Sequence, residues 1–198
     1  MIKTLTIYLI LSILTTTSVF TSDDFVYDIY LIISGSPTFS IFKDERIPGL
    51  TDKTAFGYGF TGRVMWHPDR NLSFGIMSGY LLLANDEIEI KPQVNGDKFS
   101  KAYASLHAVP LQFVVTTQKH GFEAGIGMGP YILISNIEYE TIATSNRNEL
   151  GLTLFSSYTF PLTEQIDIGP EIRVLYLSYR GIFSIMPTFT LRYNVWSY

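Results

Sequence analysis

The chain has 198 residues, a formal net charge of −4, 16% charged residues, 15% aromatic residues and no cysteine. Soluble domains carry roughly 25% charged residues, so this chain is short of the groups that keep a surface hydrated. The absence of cysteine excludes disulfides, Cys-ligated zinc, a thiol nucleophile and a lipobox anchor. Because the sequence has no basic run, it gives no electrostatic reason to expect nucleic acid as a partner.

Residues 1–22 have the pattern of a secretory signal peptide. Lys3 supplies the positive charge, Leu5 to Leu14 form a short apolar segment, and small polar residues follow. The apolar segment is too short to span a bilayer, which requires ~20 residues in a helix. We therefore expect residues 1–22 to direct export and residues 23–198 to form one exported domain. The alternative is an uncleaved N-terminal anchor.

Apolar and small or polar residues then alternate with period two in about eight segments, the pattern of half-buried strands. In chain order, the apolar rows of these segments begin at Phe25, Tyr58, Leu72, Tyr103, Phe122, Leu150, Ile166 and Ile185. The opposite face is rich in Gly, Ser and Thr and lacks the Lys and Glu of a hydrated surface. This composition suits the crowded interior of a narrow barrel whose bulky apolar side chains face lipid. We predict an all-β, closed antiparallel up-and-down transmembrane barrel of about eight strands.

The predicted connections alternate between short and long, as in outer-membrane barrels with tight periplasmic turns and longer external loops. The short connections are His67 to Asn71, Thr116 to Gly121 and Pro161 to Gln165. The long connections are Ser36 to Ala55, Ala84 to Lys101 and Ser135 to Glu149. Proline cannot donate to a strand ladder, so the prolines inside predicted strands are expected to mark bulges or strand ends. They are Pro110, Pro130, Pro170 and Pro187.

Loose motifs of glycine, Pro-Leu and aromatic residues run through the exported domain. They are Gly57 to Phe60, Leu72 to Tyr80, Val109 to Phe113, Phe122 to Tyr131 and Thr190 to Tyr198. With these motifs the chain resembles the small outer-membrane β-barrel family of Gram-negative bacteria, and in particular its porin-like, PorT-type branch. The resemblance implies a place in the cell outer membrane. It also implies a structural or accessory role at the cell surface, in envelope integrity, surface interaction, or support of secretion or uptake.

The resemblance also implies that Trp196 and Tyr198 form the C-terminal aromatic signal read by the barrel assembly machinery. The apolar row changes parity between Val195 and Trp196, and the final residue is Tyr where Phe or Trp is usual. The other expected partners are outer-membrane lipid and an envelope or secretion protein, and the barrel is expected to be a monomer.

Six charged residues lie on the predicted inward face, three acids and three arginines. An eight-stranded barrel is only wide enough for side chains to fill it, and buried charges are costly unless paired. We therefore expect a polar network that plugs the lumen, the alternative being a gated or narrow solute path. The predicted network comprises Asp28, Arg63, Glu123, Glu171, Arg173 and Arg192.

A Ser–His–acid site has no local signature in this sequence. His67 and His120 fall in predicted turns, whereas His107 lies in a strand and shares its face with Ser105 at spacing i, i+2. That face is predicted to contact lipid. The sequence predicts no catalytic residue, metal site or cofactor, and hence a non-catalytic barrel. Two alternatives stay open, a narrow channel for small or hydrophobic solutes and a soluble lipocalin-like periplasmic binding protein.

Overall fold

The computed structural model describes residues 27–43, 54–69, 71–90, 100–139, 141–178 and 181–197. The predicted signal peptide and Tyr198 lie outside these ranges. Among the described residues, no helix is long and apolar enough to cross a membrane. The strands are β1 Asp28–Phe42, β2 Thr54–Asp69, β3 Leu72–Ile90, β4 Ser100–Lys119, β5 Phe122–Tyr139, β6 Thr141–Tyr158, β7 Phe160–Pro161, β8 Ile166–Leu177 and β9 Ile182–Ser197.

Eight of these strands close into a ring. Each long strand pairs antiparallel with its neighbours in chain order, β1 also pairs with β9, and β6 pairs with β8. The two-residue strand β7 pairs with β8. Closure pairs the middle part of every long strand on both sides, as required of a β-structure that crosses lipid, whereas the loop-end part of β6 before Gly151 pairs only with β5 among the described residues. The predicted closed antiparallel up-and-down barrel is confirmed.

The two rims of the barrel differ in their connections. We call the rim with the β2–β3, β4–β5 and β6–β8 connections and both ends of the ring the turn end, and the opposite rim the loop end. At the turn end, His120 and Gly121 join β4 to β5 with φ angles of 51° and 80°. Two central residues with positive φ define the type I′ turn, whose twist matches that of the strands it joins.

At the loop end, the strands extend into segments that were predicted to be loops. Ser135 to Glu149 is the upper part of the β5–β6 hairpin, which is paired up to Tyr139 and Thr141. The prediction of a long loop there was wrong. Most residues of this segment are polar, so the alternation disappears from the sequence while the backbone pairing continues.

The four prolines singled out in the sequence lie inside strands rather than at strand ends. Each lies where the ladder with one neighbouring strand is interrupted: Pro110 between β3 and β4, Pro130 between β4 and β5, and Pro170 between the parts of β8 paired with β6 and with β7. In the β1–β9 ladder, Pro187 shares a gap with Pro37. A missing donor therefore falls where the pairing is already open.

The barrel interior has two differently filled halves. Near the loop end, buried apolar side chains from six strands form one cluster, which we call the apolar cluster. Its members are Phe42, Leu81, Leu83, Ala84, Ala104, Leu106, Ala108, Tyr131, Leu133, Leu175, Leu177, Ile182 and Met186. Toward the turn end, the interior contains buried arginines and glutamates interspersed with a smaller apolar cluster. The expectation of a polar lumen was therefore wrong for the loop-end half.

Candidate functional site

Glu171 on β8 receives hydrogen bonds from two arginines inside the turn-end half. Arg63 Nη2 donates to Glu171 Oε2 at 2.5 Å, and Arg173 Nε donates to Glu171 Oε1 at 3.0 Å. Arg173 Nη1 also donates to Thr61 Oγ1 at 2.7 Å. All four side chains are buried. Both oxygens of this carboxylate are therefore engaged, and the site is held by charge-assisted bonds, which are stronger than neutral ones.

Glu123, next to the β4–β5 turn, extends the chain of contacts. Its Oε1 lies 3.9 Å from Arg63 Nη1, and its Oε2 accepts a hydrogen bond from Arg192 Nη2. Arg192 Nη1 also donates to Gln118 Oε1 at 3.0 Å. Five of the six residues predicted from the sequence thus form one continuous chain of ion pairs, which we call the ionic network. Its members are Arg63, Glu123, Glu171, Arg173 and Arg192.

Asp28, the sixth predicted residue, lies apart from the ionic network at the start of β1. Its carboxylate accepts hydrogen bonds from Ser197 Oγ at 2.6 Å and from Tyr30 Oη at 2.9 Å. The Tyr30 ring lies 5.2 Å from the Arg192 guanidinium carbon. Within the part of the chain that the structure describes, Asp28 therefore connects to the network through Tyr30, and its contact with Ser197 joins β1 to β9.

Three contributors to the network were missed by sequence reasoning. Thr61 and Gln118 accept hydrogen bonds from its arginines, and the Phe155 ring lies 4.2 Å from the Arg63 guanidinium carbon, within cation–π range. These contacts join distant parts of the chain, so they depend on strand register around the ring and leave no local signal. The ion pairs of the network fix the positions of its charged side chains. Among the described residues, no cluster of three His, Cys, Asp or Glu side chains could hold a metal ion.

The C-terminal strand explains the change of parity seen in the sequence. Between β1 and β9, Ile29 pairs with Trp196 and Tyr30 pairs with Asn194, so Val195 is the extra residue of a bulge. As a result, Val195 and Trp196 are both exposed on the barrel wall. The role of Trp196 as an assembly signal stays a prediction, and its predicted partner Tyr198 lies outside the described residues.

A second polar constellation lies on the outer wall near the loop end. His107 Nε2 is 3.0 Å from Ser105 Oγ, and His107 Nδ1 is 2.7 Å from Tyr80 Oη. The Tyr80 and His107 rings also stack, with centroids 5.2 Å apart. The sequence placed Ser105 and His107 on one face, but the contribution of Tyr80 from β3 depends on the β3–β4 register.

The sequence matches no protein-family model and no curated protein. Among solved structures, the chain resembles Neisserial surface protein A with a TM-score of 0.51 and 10% identity over 86% of this chain and 99% of that one. Ail of Yersinia pestis gives a TM-score of 0.45 and 12% identity, over 84% and 99% of the two chains. The N-terminal β-barrel domain of Pseudomonas aeruginosa OprF gives 0.41 and 10%, over 82% and 97%. The likeness to the Neisserial protein supports the barrel fold.

Proposed function

We propose that this protein is an outer-membrane β-barrel with a structural or accessory role at the cell surface. The observation that carries the proposal is the outer wall, which presents large apolar side chains on every long strand. Ile76 and Met128, which pair with the same residue of β4 in the middle of the wall, are 66% and 62% exposed. Monomeric soluble proteins rarely expose contiguous apolar patches larger than a few hundred Å². An apolar wall around a closed ring is instead suited to lipid.

The direction of the apolar rows argues against the soluble lipocalin-like alternative. In such a binder these rows would line an internal cavity, whereas here they point away from the barrel axis. Aromatic side chains are exposed on the wall toward both rims, including Trp66 and Phe122 toward the turn end and Tyr80 and Tyr103 toward the loop end. Aromatic residues at these two levels suit the two headgroup regions of a membrane.

The filled interior argues against the narrow-channel alternative. The apolar cluster brings together side chains from six strands across the loop-end half, and the ionic network crosses the turn-end half. The function we propose therefore resides on the outer wall and at the loop end, in surface interaction, envelope integrity, or support of secretion or uptake. The resemblance to the PorT-type branch favours a role in support of secretion or uptake.

Envelope fractionation followed by gel electrophoresis with and without boiling tests this proposal. We expect the full chain in the outer-membrane fraction, with a mobility that changes on heating because the closed barrel resists SDS. A soluble protein without a heat-dependent shift would overturn the proposal.

A matched pair of arginine variants makes the test specific for the wall. Ile76→Arg places a charge on the outward face at mid-height and should cost about 2–4 kcal/mol of insertion free energy, so its inserted fraction should fall. Asn146→Arg, at an exposed position of β6 in the loop-end part of the β5–β6 hairpin, should insert as the unchanged protein does. Equal insertion of the two variants would argue against lipid around Ile76.

A further inference from the structure

The Ser105–His107–Tyr80 constellation has the order of a nucleophile, a base and an orienting group. Each nitrogen of the imidazole has its own partner, Ser105 Oγ at 3.0 Å and Tyr80 Oη at 2.7 Å. Stacking on the Tyr80 ring further fixes the plane of the imidazole. A serine within hydrogen-bond reach of a histidine that a third group orients is the arrangement that activates a hydroxyl for nucleophilic attack.

Two asparagines flank the serine on the same face of the wall. Ser105 pairs across the ladder with Asn85 on β3 and with Asn136 on β5. Directly opposed residues of an antiparallel pair have Cβ atoms about 4.5–5.5 Å apart, so both side-chain amides can reach a group bound at Ser105. Amide N–H groups placed in this way can stabilise a developing oxyanion.

The height of the constellation on the wall indicates what it would meet. A tilted strand crosses the hydrocarbon core in ~9–11 residues, which on β4, counted from Lys119 at the turn end, reaches about residue 109. His107 and Ser105 follow immediately and lie between this point and the exposed Tyr103 of the same strand. This is the headgroup level, where the ester carbonyls of membrane lipids lie next to water.

We propose that Ser105, His107 and Tyr80 form a hydrolytic site for acyl esters of lipids in the adjoining leaflet. The inference rests on the proposed membrane position. Ser105 Oγ attacks the ester carbonyl while His107 Nε2 takes its proton, and the oxyanion collapses with release of the alcohol, which receives that proton. Water then attacks the acyl-serine, His107 again relays the proton, and the free fatty acid and Ser105 are released.

Tyr80 acts in this site as a positioning residue. The step requires His107 Nδ1–H to donate to Tyr80 Oη, so that Nε2 is left to accept the serine proton. Removing the phenol oxygen leaves the ring stack intact but frees the tautomer of the imidazole. Tyr80→Phe should therefore lower the rate about tenfold, the effect of one lost orienting hydrogen bond. It should also shift the midpoint of the pH–rate profile, which loss of packing alone would not do.

The barrel contains a second Ser–His contact that serves as an internal control. His67 Nδ1 lies 2.5 Å from Ser73 Oγ near the turn end. Ser73 is only 4% exposed and faces the barrel interior, so no lipid ester can approach it. Ser73→Ala should consequently leave the chemistry at Ser105 unchanged.

The experiment uses the full chain, folded in detergent micelles and in phosphatidylethanolamine–phosphatidylglycerol vesicles. A fluorophosphonate probe, which phosphonylates an activated serine with release of fluoride, should label Ser105 by peptide mass spectrometry. Hydrolysis of p-nitrophenyl laurate in the micelles and release of fatty acid from the vesicles give the rate. Ser105→Ala should abolish labelling, and His107→Gln should lower the rate of ester hydrolysis at least 100-fold. Ser73→Ala should leave both the labelling and the rate unchanged.

Heat-dependent gel mobility, measured on every sample, separates this inference from the proposed function. A membrane-inserted, heat-modifiable barrel whose Ser105 is not labelled, or whose ester hydrolysis survives Ser105→Ala, would overturn the hydrolytic site and leave the proposed function intact. A chain recovered without membrane would overturn both. Hydrolysis of the micellar ester but not of vesicle lipid would retain the serine chemistry and overturn the lipid substrate.

Discussion

The two halves of the barrel interior close the lumen by different physical means. In the turn-end half, three buried arginines are paired through two buried glutamates, with Glu171 between Arg63 and Arg173. In the loop-end half, apolar side chains such as Leu177 and Leu83 form most of the filling, and Glu149, next to Tyr131, is a buried carboxylate at its margin. The turn-end half depends on the pairing of opposite charges, and the loop-end half depends on the volume of its apolar side chains.

A filled barrel can therefore be destabilised in two separate ways. Removing one partner from a buried ion pair leaves a desolvated charge, which costs more than the pair itself contributes. Removing methyl groups from an apolar interior leaves a cavity whose cost depends on how far the surroundings collapse. Substitutions in the two halves should therefore differ in size and in the control that rescues them.

Glu171→Ala should have the largest effect, because it leaves two buried guanidinium groups without their shared carboxylate. We expect a loss of about 3–5 kcal/mol in the free energy of unfolding, measured by urea titration in vesicles with the heat-dependent gel shift as the readout. In a double-mutant cycle, Glu171→Ala combined with Arg173→Met should lose less than the sum of the two single variants. A loss below about 1 kcal/mol, within the range of solvated ion pairs, would show that the turn-end interior is hydrated.

Leu177→Ala tests the loop-end half in the same assay. It removes a fully buried side chain of the apolar cluster, and we expect a loss of about 3 kcal/mol from the cavity. Leu177→Met, which conserves volume, should lose less than about 1.5 kcal/mol. If Leu177→Asn were tolerated as well as Leu177→Met, the loop-end half would contain water and the contrast between the two halves would disappear.

The smallest expected effect concerns the β4–β5 turn. There, the backbone conformation of the turn residues, rather than packing in the interior, determines the change in the free energy of unfolding. His120 has a φ of 51°, a conformation that asparagine tolerates better than most residues, and Asn-Gly is the preferred type I′ pair. His120→Asn should stabilise the barrel by about 0.5 kcal/mol. Gly121→Ala, at φ 80°, should act in the opposite direction. A gain from both substitutions would contradict the assigned turn.

The outward wall was predictable because alternation reports directly on which face a residue occupies. Ile29, Val64 and Leu154 were all placed on the apolar rows by period two alone. The loop-end interior was not predictable in this way, because the segment Tyr80 to Ala84 is apolar at every position and carries no alternation. There, a bulge between Leu82 and Ala84 sets which residues turn inward.

The charged members of the interior could be read from the sequence because isolated charges on a small-residue face must lie inside a narrow barrel. Their partners could not, since the pairs Arg63–Glu171 and Arg192–Glu123 join residues 108 and 69 positions apart. Such pairing depends on the stagger between strands around the whole ring. The same holds for Tyr80 and His107, 27 positions apart.

The length of the β5–β6 hairpin has a mechanical consequence. Each strand has 18 residues, whereas ~9–11 suffice to cross the hydrocarbon core. At ~3.4 Å per residue, the surplus forms a stiff ribbon about 25 Å long, paired without a break up to Tyr139 and Thr141. In the proposed membrane setting, this hairpin extends beyond the lipid headgroups. An arriving partner would therefore first contact the protein well above the bilayer.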